Sequence, residues 1–476
     1  MWQVIYTLIL ALIAILAVVT NWYTALGIIL MLVLLIIFLN KIGKGIVLLE
    51  TIALLYAFSC ILMPIIGYTY YTSQNSLAQI WVRYMPVSAE TYFSYALPAI
   101  ACFCMAVTLP SFRRNLPDEG KSLMEKITRI RQILNTQKNI GLQIVCVGVL
   151  ISFVTKLLPI ELNYFAQLFF FGSFAGLLYI HFSPDFKRKK MVMALFVCFI
   201  LWNALQTGMF TIVAYMGITV FSFFQINKPS GMLKKMLFTL VTIAFFILLQ
   251  NVKVMYRKKT WKDSFGGNKV EVFSDLVVDN VQKGNALLSQ DALFPLYSRA
   301  NQGFNVALVM RRIPAVQPFD NGDRLLTVFA SALVPRFLWP DKPEAGGVFN
   351  MKYYAGYTLK GWSTNIGPLG EAYGSFGVTG GIIYMLLLGF GIRWVYLKFF
   401  SVSNKVVLLI CWLPVLFYFT ISSAETDSLQ IMNSILKSAF FIWLLYKFLP
   451  RWFGMAQKNK IKRAGIQYSK NVPVSR

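Results

Sequence analysis

The run Tyr23-Thr24-Ala25-Leu26-Gly27-Ile28-Ile29-Leu30-Met31-Leu32-Val33-Leu34-Leu35-Ile36-Ile37-Phe38-Leu39 holds seventeen residues without a charge, and Lys41 and Lys44 follow it closely. A helix of about 20 apolar residues crosses the hydrocarbon core of a bilayer. Lysine and arginine gather in the short loops on the cytoplasmic side. This stretch therefore predicts a spanning helix that ends in the cytoplasm.

Similar runs recur along the chain: Val4–Val19, Ile46–Ile66, Tyr95–Leu109, Ile140–Leu157, Tyr164–His181, Met191–Leu205, Phe210–Phe224, Met236–Leu249, Val378–Leu397, Val406–Phe419 and Ile431–Leu449. Together they predict an all-α polytopic membrane protein with about twelve transmembrane helices. The composition agrees: 57% of 476 residues are apolar and 13% charged, against about half and a quarter in soluble domains. A soluble enzyme and a disordered chain are both excluded, the latter by a mean hydropathy of +0.61. Val4–Val19 lacks a small-residue cleavage site and reads as a retained helix.

The formal net charge of +26 is mostly a topology signal. Cations crowd alternate connections (Arg113, Arg114, Lys121, Lys126, Arg129, Arg131 and Lys138; Lys187–Lys190; Lys228, Lys234 and Lys235) and the tail after Arg451. The intervening short loops are nearly bare, and Ser422–Gln430 carries only the acids Glu425 and Asp427. Both termini are expected in the cytoplasm. The chain divides into nine spans (1–250), a large external loop with short helices (251–375), three spans (376–450) and a basic tail (451–476). All six cysteines fall inside expected spans, and His181 is the single histidine. No disulfide framework or metal site is expected.

The large loop concentrates the chemistry. Between Lys253 and Lys360 fifteen cations face nine acids. Most of these are expected to be solvated near headgroups, but arginine forks also bind phosphate in two-point fashion. Helical stripes run through Phe273, Leu276, Val277 and Val281, through Phe304, Ala307, Leu308 and Arg311, and from Leu325 to Leu333. Pro335, Pro340 and Pro343 stiffen the backbone around Arg336 and Lys342, and Trp339 offers an amphipathic ring at headgroup depth. Arg299, expected at a helix start, has Asn301 and Gln302 as polar neighbours. Glycines at 367, 370, 374, 377 and 381 share a helical face. Two readings stay open for them: packing between membrane helices, or close approach of a headgroup or sugar with Glu371 and Tyr373 at the membrane entrance. Glu50 and Lys437 are intramembrane charges that pair or line a cavity.

The run Pro335-Arg336-Phe337-Leu338-Trp339-Pro340-Asp341-Lys342-Pro343, with Ser363-Thr364-Asn365 and Gly370-Glu371-Ala372-Tyr373-Gly374-Ser375-Phe376-Gly377, resembles the bacterial Wzy-type oligosaccharide repeat-unit polymerases of O-antigen and capsule synthesis. Arg336 and Gly347 fit that family's Arg-x10-Gly pattern, whereas Arg257 misses it by one or two residues. The resemblance is specific over Arg299–Gly377 and topological elsewhere. It implies an inverting GT-C-class glycosyltransferase of the cytoplasmic membrane. The growing chain would pass from its undecaprenyl diphosphate to an incoming lipid-linked repeat unit on the external face.

The implied roles are diphosphate binding for Arg299, Arg336, Lys342 and Arg257, and general base for Glu371 or Asp341. Trp339, Asn365 and Tyr373 would bind glycan or headgroup. No metal or other cofactor is implied; the implied partners are the lipid-linked oligosaccharide, membrane lipids, a chain-length regulator and a flippase, with no nucleic acid. The rival readings are a glycan ligase, disfavoured because the loop has no histidine; a flippase, disfavoured because the cations sit in a loop; and a structural component of a secretion system.

Overall fold

A computed structural model describes residues 21–109, 116–155, 160–207, 211–228, 230–260, 266–282, 289–334, 338–341, 346–360 and 364–455. These residues are helical and turn structure, with two isolated bridges and no named strand among them. Among the described residues, eight helices are long and apolar enough to cross a membrane: Trp22–Lys41, Leu48–Thr69, Ala89–Thr108, Asn163–Phe182, Lys189–Gln206, Met232–Thr260, Gly367–Ser403 and Ser428–Phe448. The described residues thus form an all-helical structure whose long apolar helices are compatible with a membrane protein.

The remaining expected spans differ in form. Val4–Val19 lies outside the described residues. Thr211–Gln225 is a helix of fifteen residues. Ile140–Val154 follows the helix Gly120–Thr136 with a bend of 85° between them. Gly120–Thr136 lies in what reads in sequence as a loop; its buried Leu123, Ile127, Ile130 and Leu134 recur every three or four residues, the stripe of an amphipathic helix. Val406–Phe419 is broken into a 3-10 turn, Val407–Trp412, and the short helix Leu413–Leu416. Pro414 has no N–H to continue a regular ladder there.

The chain forms two compact units. Among the described residues, one draws on stretches between 21 and 120, 196 and 397, and 417 and 434, the other on stretches between 121 and 195, 398 and 416, and 435 and 455. In the second, Tyr179 is fully buried, donates to the Trp452 carbonyl at 2.8 Å and accepts from Trp412 Nε1 at 3.0 Å. Lys437 lies over the Tyr164 ring at 4.6 Å, so that intramembrane charge has an aromatic partner.

The first unit holds every described candidate residue. Its helix Leu48–Thr69 contains a π-helical turn, Phe58–Leu62, just before Pro64. Proline cannot donate, and the widened turn leaves carbonyls for other partners. Tyr92 OH donates to the Cys60 carbonyl at 2.7 Å and the Gln302 N–H to the Ser59 carbonyl at 3.2 Å. Gly303 makes this docking possible, since a Cβ there would strike Pro64 and the Tyr92 hydroxyl. A break in one membrane helix thus anchors the start of the helix Gly303–Arg312.

At another point of this unit, Lys41 Nζ meets Glu50 at 2.8 Å and Asp118 at 2.6 Å, and Tyr396 OH donates to Asp118 at 2.9 Å. Glu50, singled out in sequence as an intramembrane acid, is therefore paired. Lys41→Met leaves two buried carboxylates without their cation and is expected to cost about 3–5 kcal/mol. Thermal unfolding in detergent tests this; a wild-type melting temperature would show that the pair contributes nothing.

Candidate functional site

Asp427 precedes the helix Ser428–Phe448 and caps it: its Oδ1 accepts from the Gln430 N–H at 2.6 Å. Its Oδ2 accepts from the Gly346 N–H and from Asn365 Nδ2, each at 2.9 Å. Glu371 reaches the same helix end. Its Oε2 accepts from the Ser428 N–H at 2.9 Å and the Ser428 hydroxyl at 2.6 Å, and its Oε1 from Asn350 Nδ2 at 3.1 Å. Asp427 and Glu371 are only 1% and 2% exposed. Two buried carboxylates are tolerated here because a helix N-terminus offers free N–H groups and partial positive charge.

The network continues through amides. Asn350 Nδ2 also donates to Asn365 Oδ1 at 3.3 Å. Asn305 Nδ2 donates to the Asn365 carbonyl at 2.8 Å and to Gln302 Oε1 at 3.1 Å, and Gln302 Nε2 donates to the Arg299 carbonyl at 3.2 Å. A line of buried polar groups therefore joins Glu371 to the backbone of Arg299.

Arg299 itself faces outward. Its Nη2 pairs with Glu425 Oε2 at 2.5 Å, with half of its side chain exposed, and Tyr215 OH donates to the other Glu425 oxygen at 2.9 Å. The charges of Arg257 and Lys253, both on the helix Met232–Thr260, interact with that of Arg299. Three cations thus act on one another, with Glu425 paired to Arg299 and acting on Lys253. Such a cluster suits a ligand carrying more than one negative charge.

The structure brings Arg257 and Arg299 together, and Asn365 and Glu371 together. Several sequence expectations change. Arg299 stands in the last turn of the helix Gln290–Ala300, not at a helix start, because the apolar face of that helix runs back to Phe294 and Tyr297. The helix Met232–Thr260 continues past 250, so Arg257 lies on it and not in a loop. Glu371 and Tyr373 lie inside the helix Gly367–Ser403, whose non-helical residue is Gly377 with φ 68°. Tyr373 is buried between Tyr95 and Phe319, with ring centroids at 5.1 and 5.9 Å. Its place is in packing rather than at an open entrance.

The glycine stripe packs against protein as well: a Cβ at Gly374 would lie 2.5 Å from the Tyr354 ring, and one at Gly381 2.7 Å from Tyr95. Asp341 is exposed and Trp339 half-buried on the segment 338–341. Arg336 and Lys342 lie outside the described residues. Among the described residues no group of three or more His, Cys, Asp or Glu is placed to hold a metal ion.

Sequence reading passed over Asn350, Asn305, Glu425 and Asp427 as site residues. Asp427 had a signal, an acid directly before an apolar helical run. It also passed over Asp320 and Arg324. Asp320 Oδ2 accepts from Tyr353 OH and Tyr354 OH at 3.4 Å each. Burial pushes both phenols above their ordinary pKa, and the charge of Asp320 adds to this, together with that of Glu371 at Tyr354. Both hydroxyls keep their protons at neutral pH.

Residues 121–449 match a family described as a domain of unknown function, DUF8712, and the chain belongs to that family. No curated protein and no solved structure matches the chain.

Proposed function

We propose that this protein is a membrane glycosyltransferase of the repeat-unit polymerase kind, inverting and metal-independent, acting on undecaprenyl-diphosphate-linked oligosaccharides at the external face of the bacterial cytoplasmic membrane. The observation that carries the reading is the cluster of Lys253, Arg257 and Arg299, with Glu425 paired to Arg299, on a chain of long apolar helices. In the proposed transfer, the acceptor hydroxyl oxygen bonds to the anomeric carbon of the donor. The bond from that carbon to the diphosphate breaks, and its electron pair leaves with the diphosphate. Fixed cations stabilise the charge that develops there.

The hydroxyl proton goes to a carboxylate. Glu371, with three donors and almost no exposure, suits positioning better than proton transfer. Asp341 is exposed, and Glu425 becomes available once a diphosphate takes over Arg299. The finer topology belongs to the same proposal: twelve crossings in a GT-C-like plan with both termini cytoplasmic, supported by the cation-rich alternate loops.

The test is reconstitution of the purified chain in vesicles with a lipid-diphosphate-linked oligosaccharide from its own host. A ladder of extended products is expected, and a single unextended band would sink the proposal. Orientation is read in cells lacking the exposed Cys146 and Cys198. A cysteine at the exposed position 316 should react with an impermeant reagent and one at the exposed position 129 should not; the reverse pattern would overturn the topology.

A further inference from the structure

Arg324 occupies the first turn of the helix Asp323–Leu333. Its guanidinium lies over the Phe349 ring at 4.0 Å and the Tyr353 ring at 5.6 Å. Nε and Nη2 are buried, and neither has a hydrogen-bond partner among the described residues. Nor does Arg324 form an ion pair among them. These two nitrogens form one edge of the fork, the edge that receives both oxygens of a carboxylate or of a phosphate. Buried donors left open are costly. The arrangement is that of a site held ready for an oxyanion.

The surroundings narrow the ligand. Asp320 is tied to Tyr353 and Tyr354, and the field of Arg324 extends to Glu371. Asp320, Asp323 and Glu371 so near disfavour a multiply charged diphosphate but leave room for a single negative charge. Asp320 and the two protonated phenols match sugar hydroxyls as acceptor and donors. Phe349 and Tyr353, whose rings stack at 6.3 Å and 16°, offer an apolar face for a pyranose ring.

We propose that Arg324, Phe349, Tyr353 and Asp320 form a subsite for the carboxylate of an acidic sugar in the glycan. The proposal rests on the glycan-transfer reading, and it separates the roles of two arginines: Arg299 takes the diphosphate and Arg324 the sugar acid.

Binding to the full-length chain in lipid nanodiscs tests it, with trigalacturonate, its methyl ester and pyrophosphate as probes in calorimetry. Trigalacturonate is expected to bind at least tenfold more tightly than the ester. Arg324→Lys should weaken trigalacturonate at least tenfold and leave pyrophosphate unchanged, and Arg299→Ala should do the opposite. Equal binding of acid and ester, or no binding of the acid, overturns the subsite. Loss of pyrophosphate binding in Arg324→Lys reassigns the fork to a lipid headgroup or free phosphate and also overturns it.

Arg324→Met adds a readout of fold. It should melt at or above the wild-type temperature without ligand, since it removes open buried donors; a fall of several degrees would mark a structural role and overturn the proposal. A chain that fails to extend glycan yet binds trigalacturonate through Arg324 would sink the polymerase reading and leave the subsite standing.

Discussion

Arg299→Ala is expected to stop glycan extension at one repeat unit while the protein accumulates at its normal level. The separation of the two effects comes from exposure. Half of the Arg299 side chain is open and its partner Glu425 is also reachable by water, so the pair contributes only about 0–1 kcal/mol to stability. Its effect on rate is of another order. Removing one preorganised group that meets developing charge typically slows a reaction by about 100-fold to 1000-fold. Lysine at 299 keeps the charge but loses the two-point geometry, so it should recover only part of the rate. Lipid-linked glycan from a strain carrying each variant is resolved on a gel, with the protein quantified in the same membranes. Ladders of wild-type length in the alanine variant would remove Arg299 from the site and, with it, the observation on which the polymerase reading stands.

Glu371→Ala should act in the opposite manner, on the fold first. The change leaves the Ser428 N–H, the Ser428 hydroxyl and the Asn350 amide facing an empty buried space. Each such group costs about 1–3 kcal/mol when it loses its partner. The Ser428 hydroxyl keeps one neighbour, Tyr384 OH at 2.6 Å, which softens the loss. A total of roughly 3–5 kcal/mol is expected, as for other buried charged networks that lose one member. Melting of the purified variant in nanodiscs should fall by several degrees, and membrane levels should fall with it. Asn365→Ala should show a smaller fall, because Asp427 retains its bonds from Gly346 and Gln430. A Glu371→Ala protein that melts like the wild type but has no activity would contradict the positioning role and return Glu371 to the list of bases.

These two residues mark what sequence reading reached. Arg299 and Glu371 both stood out as charges in unusual settings, and both are held in place by partners distant in the chain. Glu425 is 126 residues from Arg299, and Ser428 is 57 residues from Glu371. No spacing rule reports a contact over such distances. The polar neighbours of Arg299 were legible as a group, and Gln302 does join the amide line. What was not legible is that the line runs inward to Asn365 and Asp427, while the guanidinium of Arg299 points out to Glu425.

Arg324 shows the converse. Fifteen cations between Lys253 and Lys360 look alike as letters. Burial of Nε and Nη2 over two rings sets this one apart, and burial is a property of the folded chain. The Gly367–Gly381 stripe shows a third case. Its spacing revealed a helical face, and the packing of Tyr354 and Tyr95 against it showed what that face meets.

By itself the sequence determined the class: a membrane chain of apolar helices, with short helices in its long connection and its charges sorted by loop. Those properties are local, since the apolar period and the run length act on each segment independently. Only the tertiary structure decided which carboxylate is locked at a helix end, which arginine meets water and which is buried with open donors. Those outcomes depend on partners brought together across the whole chain, and on the cost of leaving any buried charge or donor without one.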